Sequence, residues 1–341
     1  MRAYVGYSTS VLYWLKNGMD EFDRANIVHA KSLNDAAYTL RDLEAMQLDL
    51  HGLESSTARG WPDRARKGTS AKRPLPGGPA YHVLVPKDVL HTRVDGYERH
   101  QWNLRVPDNS FCKVARNVYV STPEFSFLQL AGLLSQPQLI MVGYWLCAKY
   151  RTRADGVTIP VEPVTSVAKL RSYLDDADGC YGARKARRAL SWVVNDARSP
   201  TEVGTSMLAA LPTRLGGYGY GNPCINFRID ATDFGPATLD RKDRKYFEID
   251  LYWPKKRVGV EYDGAVHLLG EQIRKDKRRL NCLTAHGERI LTVMYDQIID
   301  DEIRTITMNQ LGKLLGVPNR KVDDDARDGL LGLLFKNEFA L

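Results

Sequence analysis

Two hydrophobic rhythms alternate along the chain. Apolar residues fall at helical spacing in "STSVLYWLKN" (8–17) and in "SLNDAAYTLRDLEAMQL" (32–48), the latter at Leu33, Ala36, Ala37, Leu40 and Leu43, so residues 1–58 read as a helical N-terminal module. A Gly, Pro and Lys-rich stretch (59–79) carries neither rhythm and reads as a basic linker or loop. The short runs "YHVLV" (81–85), "WNLRVP" (102–107) and "NVYVS" (117–121) read as strands. Thr122 then caps a helix with Pro123 in its first turn. Further helices are expected at about 137–150 and within 165–196, which makes 80–197 an α+β region.

The character changes at Ser199. "SPTE" is a capping box, with Ser199 as cap and Glu202 reaching back. Strands follow at 224–230, 246–253 and 257–263, a helix at about 271–286, a strand at 289–295 and a helix at about 296–315. Residues 198–341 therefore read as an α/β domain built from a helix, a three-stranded antiparallel meander, a helix and a strand.

Within that meander the polar positions are unusual. "YFEIDLYW" (246–253) and "VGVEYDGAVH" (258–267) each carry two carboxylates, and only "PKKR" separates the segments, a length suited to a hairpin. If Trp253 pairs with Val258, paired residue numbers sum to 511, which sets Asp250 opposite Glu261 and Glu248 opposite Asp263. Alternation then puts all four acids on one face and Phe247, Ile249, Leu251, Trp253, Val258, Val260 and Tyr262 on the other. Like charges directly opposed destabilise a sheet, so the arrangement calls for protonation, water or a cation. Oxygen ligands without thiolate or paired imidazole suit a hard ion, Mg²⁺ or Mn²⁺. Such an ion can polarise a phosphodiester and lower the pKa of an attacking water. A solvent-facing acidic strand, balanced by "KKR" and "RKDKRR", would need no metal.

Charge extends this picture. The chain of 341 residues, long enough for about two domains, carries 48 Lys and Arg against 41 Asp and Glu, a net +7. The excess gathers in clusters at 64–73, 183–190, 240–245, 255–257 and 274–279, which fits a phosphate-rich partner. The five cysteines form no CxxC pair, and the longest apolar run, near residue 140, is about half a membrane span. A cytoplasmic protein without a membrane partner is expected.

The segments "FEIDLYWPKKRVGVEYDGAVH" and "RKDKRRLNCLTAHGERILTVMYDQI" resemble the endonuclease-like domains related to the very short patch repair enzymes, within the PD-(D/E)XK nuclease superfamily. The resemblance covers about residues 198–300. It implies Asp250 and Glu261 as metal ligands, with Asp263 standing where many members have a catalytic lysine, His267 assisting, and Glu202 matching an acidic residue of the first helix. Asp276 and Glu248 would support the site, and Lys255, Lys256, Arg257, Arg274 and Arg279 are candidates for phosphate contact. Residues 110–150 are similar to a portion of AbiEi-like antitoxin and regulator proteins, which makes the N-terminal region a candidate for binding a protein partner. The expectation is a Mg²⁺-dependent DNA endonuclease. The alternative is a DNA-binding transcriptional regulator or antitoxin that keeps a nuclease fold without the chemistry.

Overall fold

Ala3–Val5 forms a strand (β1) inside the stretch expected to be helical, while the helix expected at 32–48, apart from residues 33, 35 and 36, and the linker expected at 59–79 lie outside the described residues. In the computed structural model, which describes residues 2–28, 33, 35–36, 81–86, 97–102, 105–153, 156–230, 246–263, 279–294, 296–318 and 320–335, β1 pairs with strands from beyond residue 80. The chain is mixed α and β, in two compact units, one within Met1–Asn195 and one at Asp196–Phe335. No described helix is long and apolar enough to cross a membrane.

The first unit holds a six-stranded sheet. After β1 come helices α1 (Tyr7–Asn17) and α2 (Glu21–Ala25), then β2 (Ile27–Val28), β3 (Tyr81–Val85), β4 (Tyr97–Gln101), β5 (Phe111–Ala115) and β6 (Val118–Ser121), in the order β2-β5-β6-β1-β3-β4. The strand expected at 102–107 sits earlier, at β4, because pairing with β3 ends at Val85–Gln101. Trp102 instead turns its ring edge-on to Phe125, 4.9 Å away. Helices α3 (Pro123–Ala131) and α4 (Gln136–Cys147) follow, the first capped at Thr122. Small side chains let α1 approach α3 closely, with Ser10 Oγ 2.6 Å from Ser126 Oγ. Trp14 is fully buried and donates its indole N–H to the Ser121 carbonyl at 2.7 Å. A two-stranded ribbon, β7 (Tyr150–Thr152) with β8 (Thr158–Pro160), and helices α5 (Val167–Asp176) and α6 (Ala183–Leu190) complete the unit.

The second unit opens with α7 (Pro200–Ala210) and then β9 (Cys224–Asp230), β10 (Tyr246–Trp253) and β11 (Val258–Asp263). A helix whose described part is 279–285 (α8) leads to β12 (Arg289–Met294), and α9 (Asp296–Ile299), α10 (Asp301–Leu315) and α11 (Asp324–Phe335) close the unit. The sheet order is β12-β11-β10-β9: β9, β10 and β11 run antiparallel, and β12 lies parallel to β11. The β10–β11 pairs are Leu251–Val260, Tyr252–Gly259 and Trp253–Val258, so the hairpin has the register whose paired numbers sum to 511. Its turn ends on Arg257 at φ 52, whose side chain is tied to the buried Glu288 by an ion pair of 2.7 Å.

Candidate active site

Strict alternation along β10 breaks at Asp250. Phe247 and Ile249 join Ile229, Tyr252 and Leu283 in one apolar cluster, rather than sharing a face with Leu251 and Trp253 as expected. Gly259 fixes the geometry: a Cβ there would stand 2.7 Å from Ile249 Cγ2 and 3.5 Å from Tyr252 Cδ2, so these two side chains lie on the same face. Asn226 on β9 lies at the register position opposite Asp250, between the pairs Ile249–Phe227 and Leu251–Ile225. Its φ of 51 is the left-handed conformation that asparagine tolerates better than most residues.

Glu248 and Glu261 therefore lie on opposite faces, not on one acidic face. Glu248, alternating with Phe247 and Ile249, accepts from Arg198 and, at 3.0 Å, from Arg228. Burial pushes its pKa up, but the two guanidiniums outweigh this and hold it below the usual value. Glu261 lies on the Gly259 side and is gripped by Arg279 of α8, at 2.6 Å and 2.7 Å on its two oxygens. Arg279 also donates to the Glu248 carbonyl. Asp250 Oδ2 accepts the Tyr262 backbone N–H at 2.8 Å, beyond the last paired residues of β10 and β11. Asp250 and Glu261 thus flank the point where the two strands part.

Glu202 enters from α7. Its backbone N–H donates to Ser199 Oγ at 3.2 Å, as the capping box requires, but its carboxylate reaches one residue further back, accepting from Arg198 N at 2.9 Å. The same oxygen accepts from Asn226 Nδ2 at 2.8 Å, so Asn226 links Glu202 to the Asp250 level. Burial raises the pKa of Glu202, hydrogen bonds from Arg198, Asn226 and Ser199 oppose it, and the Asp250 charge adds to the rise. Burial likewise lifts Asp250 above its usual value, against the Tyr262 N–H and Arg279. Two half-buried carboxylates with raised pKa values, one feeling the other's charge, are the arrangement a hard cation relieves.

No family model, curated protein or solved structure matches the chain.

Of the candidates, Asp250 is tied to the β11 backbone beside Glu261, Glu202 reaches β9 through Asn226, Arg279 holds Glu261, and Glu248 lies on the other face with Arg198 and Arg228. Lys255 and Lys256 are exposed on the hairpin turn. Arg257 is held by Glu288 and by the His286 carbonyl, which makes it a strut of the turn. His267, Arg274 and Asp276 lie outside the described residues, as does the side chain of Asp263. Arg198, Arg228 and Asn226 were not singled out from the sequence. "SPTE" is preceded by Arg198, and an Arg before a cap looks like any surface charge until the fold brings Glu248 to it. Among the described residues, three metal-type ligand atoms gather within 4.8 Å at His82, Glu98 and His100, in the first unit, and not among these carboxylates.

Proposed function

We propose that the second unit is a Mg²⁺-dependent endonuclease acting on DNA phosphodiester bonds. The observation that carries this reading is Asp250 held against the amide of Tyr262, the residue after Glu261, where β10 and β11 separate, with Glu202 linked through Asn226 to the β9 position opposite Asp250. The donor set fits the ion in kind: all three are carboxylates, and burial lifts Asp250 and Glu202 toward protonation, a tendency a divalent cation would reverse. Asp250 and Glu261 would hold Mg²⁺ or Mn²⁺, with Glu202 assisting from α7, and the ion would supply Lewis-acid polarisation of the phosphodiester.

The chain's own groups then have separate tasks. The Tyr262 N–H fixes the orientation of Asp250, so its second oxygen is aimed without loss of side-chain freedom on binding. Arg279 orients Glu261 and offers a positive group beside the reacting phosphate. Lys255 and Lys256, on an exposed turn of the same hairpin, suit contact with the nucleic-acid backbone, whose strength falls steeply with salt. The meander of three antiparallel strands joined to a parallel fourth supports the PD-(D/E)XK reading of the fold.

One observation favours the alternative, a non-catalytic DNA-binding regulator: Arg279 already neutralises Glu261. Incubation of labelled duplex and plasmid DNA with the full chain separates the two readings. Cleavage with Mg²⁺ or Mn²⁺, absent with EDTA and lost in Asp250→Asn and Glu261→Gln, is the expected result. DNA binding without cleavage in any metal would establish the regulator, and cleavage by Asp250→Asn would remove the proposed mechanism.

A further inference from the structure

A second group of chemistry-bearing side chains lies in the other unit, on β3 and its edge neighbour β4. These strands pair in parallel with His82 beside Glu98 and Leu84 beside His100, so His82 on one strand faces an E-x-H pair on the next. The two imidazoles are near-parallel, 12° apart, and His82 Nδ1 lies 2.7 Å from His100 Nε2. The Glu98 carboxylate stands 3.9 Å from Nε2 of each ring. His82 is 5% exposed, whereas the Glu98 side chain is 58% exposed, so the imidazoles form a buried floor and the carboxylate faces water.

The surroundings hold these rings in place. The His82 backbone N–H donates to Thr9 Oγ1 at 2.9 Å, and its carbonyl accepts from Gly6 N at 2.9 Å. A Cβ at position 6 would press on Leu84 Cδ1 and the Gln129 amide, so any larger residue would have to displace these side chains. Tyr7 follows at φ 54, a left-handed conformation costly for a residue with a large side chain, kept by its N–H donating to Gln129 Oε1 at 2.9 Å. The result is that the Tyr7 ring stacks on His100 with centroids 3.7 Å apart. Strained backbone that serves to seat one ring on another is a feature of ligand sites more than of plain cores.

We propose that His82, Glu98 and His100 bind one Zn²⁺-class ion, linking the edge strand β4 to β3. Two imidazoles and one carboxylate are the ligand set of open-coordinated zinc and related transition metals, not of Mg²⁺ or Ca²⁺. The hydrogen bond between His82 Nδ1 and His100 Nε2 needs a lone pair on one of the two nitrogens, so at least one imidazole is neutral as it stands. Neutral rings present lone pairs without first losing a proton to solvent. Loading requires one tautomer change, in which the N–H between the rings moves to the far nitrogen of its own ring. It also requires a small separation, because two ligands at ~2.0–2.1 Å from a tetrahedral Zn²⁺ sit roughly 3.3 Å apart. The exposed side of Glu98 provides the way in and leaves a coordination position for water or a substrate atom.

The test is metal titration of the full chain after chelator treatment and dialysis, following Co²⁺ by visible absorption and Zn²⁺ by competition and elemental analysis. One equivalent per chain is expected, bound equally by wild type and Asp250→Asn. Glu98→Gln, a change at an exposed carboxylate that leaves the core intact, weakens binding by about tenfold or more. His100→Gln abolishes it. Circular dichroism and the thermal midpoint check that each variant is folded, and should His100→Gln unfold, Glu98→Gln carries the comparison. Failure of the wild type to retain Zn²⁺ or Co²⁺ at micromolar concentration would overturn the proposal. So would an unchanged affinity in folded Glu98→Gln. Loss of DNA cleavage without loss of Zn²⁺ would bear on the carboxylate site of the second unit and leave this one standing.

Discussion

Asp250 shows how much a single side chain is asked to do. Its carboxylate is lifted from the ordinary value of 3.8, chiefly by burial, so the folded chain holds its proton more tightly than the unfolded chain does. Stability from such a group is present at low pH and falls as pH rises through the interval between the ordinary and the raised value. Glu202 behaves in the same sense, lifted from 4.5 by burial first and by Asp250 among the other causes. Asp250→Asn is therefore expected to raise the thermal midpoint of the metal-free protein at pH 7.5, with the gain shrinking toward pH 4. Differential scanning fluorimetry across that range checks it, and a variant less stable at neutral pH would contradict the assignment. Arg279 is the counterpart. Removing its side chain leaves Glu261 half-buried without its cation, and Arg279→Ala is expected to cost about 2–3 kcal/mol, below the full value for a completely buried pair, by urea denaturation.

At the level of elements, the hairpin was the most legible part of the molecule. "PKKR" is too short for anything but a tight connection, and the apolar residues at either end of it, Trp253 and Val258, fix the register once one pair is chosen. What alternation could not reveal is the left-handed backbone at Asn226, because a positive φ at a polar residue leaves no mark in the hydrophobic pattern. At that level Glu248 pairs with Arg198 and Arg228 and Glu261 with Arg279. The His82, Glu98 and His100 group was illegible for a related reason. "YHVLV" reads as an ordinary core strand, and nothing in the spacing of 16 and 18 residues announces that β3 and β4 lie side by side in parallel. The N-terminal strand β1 was missed because a three-residue strand is too short to show a period. Gly259 gives the elements a direct check. Gly259→Ala places a methyl group against Ile249 and Ile290, and a loss of about 1–3 kcal/mol is expected. A neutral substitution would mean that β10 and β11 pack less closely than described.

For the whole molecule, the division at Asn195–Asp196 leaves each unit with its own sheet and buried core. Two calorimetric transitions are expected rather than one, since separate cores melt separately unless a large interface couples them. Ligands that bind only the folded state raise only the transition of the unit that holds them. Zn²⁺ is thus expected to shift one transition and Mg²⁺ the other, and Glu98→Gln and Asp250→Asn to remove these shifts independently. A single transition moved by both ions would argue against two autonomous units. The most direct measurement is an isothermal titration of Mg²⁺ into the zinc-loaded full chain at pH 7.5. The account predicts saturable binding in the wild type that disappears in Asp250→Asn and Glu261→Gln. Equal heats in the three proteins, or none in the wild type, would contradict it.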